Sequence, residues 1–184
     1  GSVVSKHACP PNSGSWTWVF RVDWCAFGRA FVGLAPYLKV ITDKFVGGVN
    51  NGYGLMLQGK LQKGGRVENM HYCERIFPGS LIFMTYDSDS NRLLYGNYSE
   101  RLSYGAAFSD ISNENAMVPV ISLKDKDDKI SFVNFFFGAV LNEEYRGSPS
   151  KVRKVTSYSP PKGLVLSNLA VDIFEDCLEL LHAE

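Results

Sequence analysis

The chain has 184 residues, 45% of them hydrophobic and 13% aromatic, which suits a single domain with a sizeable core and excludes a disordered segment. Lys plus Arg and Asp plus Glu each total 19, so no global field draws the chain to nucleic acid or to an anionic membrane. No apolar run approaches the ~20 residues that a transmembrane helix needs.

Gly1-Ser2 reads as a tag-cleavage remnant, and the chain as an excised fragment whose native start is not legible. Residues 1–14, with Pro10-Pro11-Asn12-Ser13-Gly14, predict a lead-in segment, ordered only where a sheet edge holds it. Trp16, Trp18, Phe20, Val22 and Trp24 then alternate with Ser15, Thr17, Val19, Arg21 and Asp23. That period of two predicts a strand with its large residues on one face. Further strands are predicted at Phe31-Val32-Gly33-Leu34-Ala35, around Gly52-Tyr53-Gly54-Leu55, and at 80–87 and 92–95, the last two joined by the Ser88-Asp89-Ser90-Asn91 turn. Residues 105–111, 118–123 and 130–134 complete the series. Short apolar runs divided by Gly, Asn, Asp and Ser clusters, without a helical period, predict an all-β, two-sheet antiparallel sandwich over 15–144.

Composition shifts at Tyr145. Residues 145–166 are rich in Ser, Pro, Gly and basic groups, and predict a connector. From Ser167 the period becomes helical: Leu169, Ala170, Ile173, Phe174, Cys177, Leu180 and Leu181 share one face, and Asp172, Glu175, Asp176 and Glu179 the other. An amphipathic C-terminal helix over 167–184 is therefore expected to pack on the sandwich or to dock a partner.

The chemical templates fail one by one. His7, His71 and His182 stand in no nucleophile motif, and no Gly-x-Ser-x-Gly elbow occurs. Asp87-Ser88-Asp89-Ser90-Asn91 imitates the opening of a calcium loop, but Arg92 stands where the turn needs Gly and Tyr98 where it needs Glu. The hairpin reading prevails. Asp125, Asp127 and Asp128 read as a charged turn, and His71-x-Cys73 lacks the further ligands that zinc requires. The expectation is a non-enzymatic chain with no metal and no cofactor. Cys9, Cys25, Cys73 and Cys177 are widely spaced and read as isolated thiols of a reducing compartment, hence an intracellular chain, cytoplasmic or nuclear.

The ordered set of strands resembles an SPRY (B30.2-type) domain. Trp16-x-Trp18 is similar to that family's opening strand, Phe31-Val32-Gly33-Leu34-Ala35 to its Val-Gly-Val-Ala strand, and Gly52-Tyr53-Gly54-Leu55 to its Gly-Trp-Gly-Leu element. Gly105-Ala106-Ala107-Phe108 and Pro119-Val120-Ile121-Ser122-Leu123 follow in the family's order. The resemblance covers about residues 14 to 137. It implies a binding module that reads a peptide or protein partner through loops between strands, as part of a larger adaptor or scaffold, with no nucleic acid and no membrane. The loop after the Val-Gly-Val-Ala strand offers Pro36, Tyr37 and Lys39 as partner-binding residues. Tyr53 stands where the family places an aromatic, and Tyr98 and Arg101 lie in a segment longer than the family's usual hairpin connection. Tyr and Arg are the anchor chemistries of interfaces. A lectin-like sandwich and a structural module of a larger assembly are the alternatives, and the oligomeric state is open. Some SPRY adaptors continue into a Leu-x-x-x-Cys box that recruits a ubiquitin-ligase scaffold. Here Leu166 is followed at that spacing by Ala170, so the match fails.

Overall fold

A computed structural model describes residues 1–5, 8–37, 45–48, 52–112 and 114–137. Lys39, the connector and the C-terminal helix lie outside the described residues. Among the described residues eleven strands run in chain order: β1 (Ser2–Val4), β2 (Ser15–Trp24), β3 (Phe31–Pro36), β4 (Tyr53–Met56), β5 (Lys60–Lys63), β6 (Arg66–Asn69), β7 (Leu81–Asp87), β8 (Arg92–Asn97), β9 (Leu102–Phe108), β10 (Met117–Ser122) and β11 (Lys129–Phe137). They form a six-stranded sheet in the order β1-β10-β3-β4-β5-β6 and a five-stranded sheet in the order β11-β2-β7-β8-β9, and every pairing is antiparallel. This is the expected two-sheet sandwich.

The main core lies between the sheets. Trp18, Phe20 and Val22 of β2 meet Val32 and Leu34 of β3, Leu55 of β4, Ile82, Met84 and Tyr86 of β7, and Tyr95 of β8. Burying each such side chain contributes roughly 1.5–3 kcal/mol. The fully buried Tyr95 hydroxyl donates to the Val32 carbonyl at 3.0 Å, so its polar atom costs little to bury. Trp18, Phe20, Val32, Leu34, Phe83 and Ile121 are all buried. Phe132 is only half-buried, because β11 is the edge strand of its sheet; its ring meets Phe20 edge-on at 6.1 Å.

Alternation understates β2. Thr17 and Val19, on its other face, are buried as well, and the Thr17 hydroxyl is satisfied by that of Thr85 at 2.8 Å. On β3 the apolar run is likewise buried on both faces. Phe31 and Ala35 join Val118 and Val120 of β10 in a second cluster, capped by Val46 of a short 3-10 turn (Val46–Gly48). Phe45 stacks on Phe31 at 4.9 Å, and the Val46 amide donates to the Ser122 hydroxyl at 2.8 Å.

Local turn chemistry follows the sequence. Asp87 Oδ1 accepts from the amides of Asp89 at 3.0 Å and Ser90 at 3.3 Å, and Asn91 closes the β7–β8 hairpin at φ 56°. The Asp128 carboxylate accepts from the amides of Lys124 at 3.2 Å and Asp125 at 3.0 Å, which organises the β10–β11 turn. Two further segments complete the fold. The lead-in contributes β1 to the sheet edge, where Ser2 pairs with Ser122 and Cys9 bridges Met117. Residues 98–101 form a tight turn rather than an extended loop, because Asn97 accepts the Glu100 amide at 3.1 Å and Arg101 takes the left-handed conformation at φ 52°. The strand therefore starts at Leu102, before the predicted Gly105.

Candidate partner-binding site

Strand register sorts the connections into two ends of the sandwich. Trp24 pairs with Lys129, Arg21 with Leu81, Ile82 with Asn97, Phe31 with both Met56 and Ser122. The β2–β3 loop, the β4–β5 turn, the β6–β7 loop, the β8–β9 turn and the β10–β11 turn thus gather at the Trp24 end. Ser15 pairs with Asp87 and Pro36 with Met117, so Pro36 and Tyr37 belong to the opposite end.

This separates the expected site residues. Tyr98 and Arg101 sit on the β8–β9 turn at the Trp24 end, with the Tyr98 amide bound to the Leu81 carbonyl at 2.8 Å. Tyr37 is exposed at the far end, where its amide binds the Ala116 carbonyl at 2.9 Å. Tyr53 is not a surface residue at all: 2% exposed, it packs edge-on against Phe108 at 5.3 Å. Its place opposite Leu34 in the sheet turns the ring into the core, and this corrects its reading as a partner contact.

The Trp24 end presents residues that the sequence reading did not single out as a site. Trp24, Phe27 and Phe77 are 53%, 57% and 58% exposed, against 49% for Tyr37 and 38% for Tyr98. The guanidinium of Arg29 lies 5.1 Å from the centre of the Phe27 ring, and that of Arg75 lies 5.3 Å from the Phe77 ring. Cation–π contacts of this kind contribute ~0.5–1 kcal/mol at exposed positions and restrain the rings. Arg75 also donates from Nη2 to the Ala26 carbonyl at 2.9 Å, which ties the β6–β7 loop to the β2–β3 loop. Gln58 Nε2 binds the Phe27 carbonyl at 2.8 Å, and the Gly79 amide binds the Val22 carbonyl at 2.7 Å. Gly28, at φ 63°, allows the β2–β3 loop to turn beside Gln58 and Arg75. The exposed rings therefore stand on pinned backbone.

The electrostatics of the rest are structural. Burial raises the Asp23 carboxyl, but the Ser131 hydroxyl and the Arg21 guanidinium outweigh it, so the net shift is downward. Burial pushes the Cys9 and Cys25 thiols up, and the Cys73 thiol to about 12, with the Glu74 charge adding to the last. Cys9, Cys25 and Cys73 are free thiols. Among the described residues no three His, Cys, Asp or Glu side chains converge. A shallow cavity of about 310 Å³ opens between the β5–β6 and β9 edges; Lys63, Glu68, Asn69 and Phe108 are among its lining residues, which include no histidine or cysteine.

A two-sheet antiparallel sandwich of this order, with loops gathered at its ends, is an SPRY-type fold. The chain is similar to the SPRY domain of human HERC1, at 14% identity and a TM-score of 0.55, over 72% of this chain and 78% of that one. A human SPRY domain matches at 17% identity and a TM-score of 0.56, over 72% and 82% of the two chains. The TRIM65 PSpry domain matches at 14% and 0.54, over 72% and 70%. By sequence, no family model and no curated protein matches the chain.

Proposed function

We propose that the chain is a non-catalytic protein-interaction module that recruits a peptide or protein partner through the loops of its sandwich, within an intracellular adaptor or scaffold. The observation that carries this reading is the exposed aromatic and arginine cluster at the Trp24 end, set on loops that main-chain hydrogen bonds hold in place. Half-exposed rings beside guanidiniums are the usual anchors of interfaces, since they bury large area and lose little rotamer freedom on binding. A rigid sandwich supplies the preorganisation that lowers the entropic cost of docking. The likeness to SPRY domains supports the same reading at the level of the fold.

The test is a quantitative pull-down with the full chain, in parallel with a glycan array. Phe77→Ala and Arg101→Ala should each reduce retention of the partner without lowering the melting temperature, whereas Tyr37→Ala, at the far end, should retain it. Loss confined to Tyr37→Ala would move the binding face to the opposite end. Binding to glycans with no retained protein would refute the interaction reading.

A further inference from the structure

We propose that the paired units Arg29–Phe27 and Arg75–Phe77 form a docking site for an acidic segment of a partner protein, one that carries an apolar side chain among its carboxylates. This rests on the interaction-module reading and names the chemistry of the partner at the same end of the sandwich.

The cations at this end are available. Neither Arg29 nor Arg75 makes an ion pair among the described residues, and Arg75 spends only one of its five donors, on the Ala26 carbonyl. Each guanidinium is already oriented by the ring it covers, so its outer edge offers the planar fork that carboxylates accept in bidentate fashion.

The acids at this end include Asp23, Glu74, Glu100, Asp125, Asp127 and Asp128, and two of them are bound within the fold. Asp23 is held by Arg21 and Ser131, and Asp128 by the amides of its own turn. Glu100 sits on the β8–β9 turn, its amide bound to the Asn97 side chain, and Glu74 stands next to Arg75 in the β6–β7 loop. Asp127 lies in a turn flanked by Lys124, Lys126 and Lys129. The charges that touch Phe27 and Phe77 themselves are the Arg29 and Arg75 guanidiniums.

The rings supply the other half. At 57% and 58% exposure they leave apolar area in water that an aliphatic or aromatic anchor would cover. A single-stranded nucleic acid also pairs cations with stacking, but it needs free ring faces and a basic surface. Here a guanidinium occupies a face of each ring and the chain has no net charge, which favours the acidic peptide.

The experiment pans a random-peptide phage library against the full chain and measures the synthesised winners by fluorescence anisotropy. The expected winners are rich in Asp and Glu around one apolar residue, and their affinity falls as salt rises. Arg29→Glu and Phe77→Ala should each weaken them about tenfold or more, with unchanged melting temperatures. Panning against the Arg29→Glu variant should shift selection toward basic peptides, an outcome that a merely structural arginine would not produce. Neutral or basic winners from the unmodified chain, or acidic winners indifferent to both substitutions, would overturn the acidic-partner proposal and leave the interaction module standing. If no peptide is retained, or if only oligo-uridine RNA binds and does so through these same residues, both readings fall.

Discussion

Replacing Tyr53 by Ala should unfold the sandwich more readily rather than disturb a binding face. The ring is 2% exposed, meets Phe108 at 5.3 Å, and lies under the Lys63 ammonium at 5.1 Å. Removing a buried aromatic ring leaves a cavity and costs ~3–5 kcal/mol. Against a typical domain stability of about 5–15 kcal/mol, that is a large fraction. For a domain of this size each kcal/mol lowers the melting temperature by roughly 2–4 °C, so a fall of about 10 °C is expected. Tyr53→Phe isolates the hydroxyl, whose one partner among the described residues is the Ser112 amide at 3.4 Å. A bond that long is weak, so the loss should stay below ~1 kcal/mol and the melting point should move by only a few degrees. The assay is thermal unfolding followed by circular dichroism, with urea unfolding as a second measure. Tyr53→Ala melting within about 2 °C of the unsubstituted chain would refute the core assignment.

Gly33→Ala should also be destabilising, because a Cβ there would stand 2.0 Å from the Tyr53 carbonyl oxygen and 2.8 Å from the Gly54 Cα, both backbone atoms of β4. The cost should reach at least the ~1–3 kcal/mol of ordinary overpacking; an unchanged urea midpoint would refute it. The buried thiols set a pH dependence. Burial raises Cys9, Cys25 and Cys73, so the fold favours the protonated thiol. That contribution is complete below the unfolded-chain value of about 8.5 and is lost as pH climbs toward the folded values. The melting temperature should therefore decline above that point. Iodoacetamide at mildly alkaline pH should label the buried Cys9 and Cys25 slowly in the native protein and quickly in denaturant, as mass spectrometry would read. Rapid native labelling would contradict their burial.

The strands were legible because their signals are local. A period of two from Trp16 to Trp24, continuous apolar runs at Phe31–Ala35 and Val118–Leu123, and Asp-rich turns at 87–91 and 125–128 mark strands and turns within a few residues. Their order along the chain sufficed for the resemblance to SPRY domains, since order survives where identity has fallen to 14–17%. The candidate site was legible only in fragments. Tyr98 and Arg101 stand at the end where the exposed cluster lies, but alternation placed Trp24 on an otherwise core-facing set and gave Phe27 and Phe77 no periodic signature.

Tertiary structure alone decided which loops are neighbours. Arg75 reaches the Ala26 carbonyl across 49 positions of sequence because β7 pairs with β2, and this juxtaposition has no trace in either loop by itself. The same register sent Tyr37 to the end opposite Arg101 and turned Tyr53 inward. Side-chain periodicity is a property of one strand and can be read residue by residue. A loop's neighbours depend on every pairing between the strands that carry it, and on which face the sandwich closes, so they exist only once the two sheets have packed.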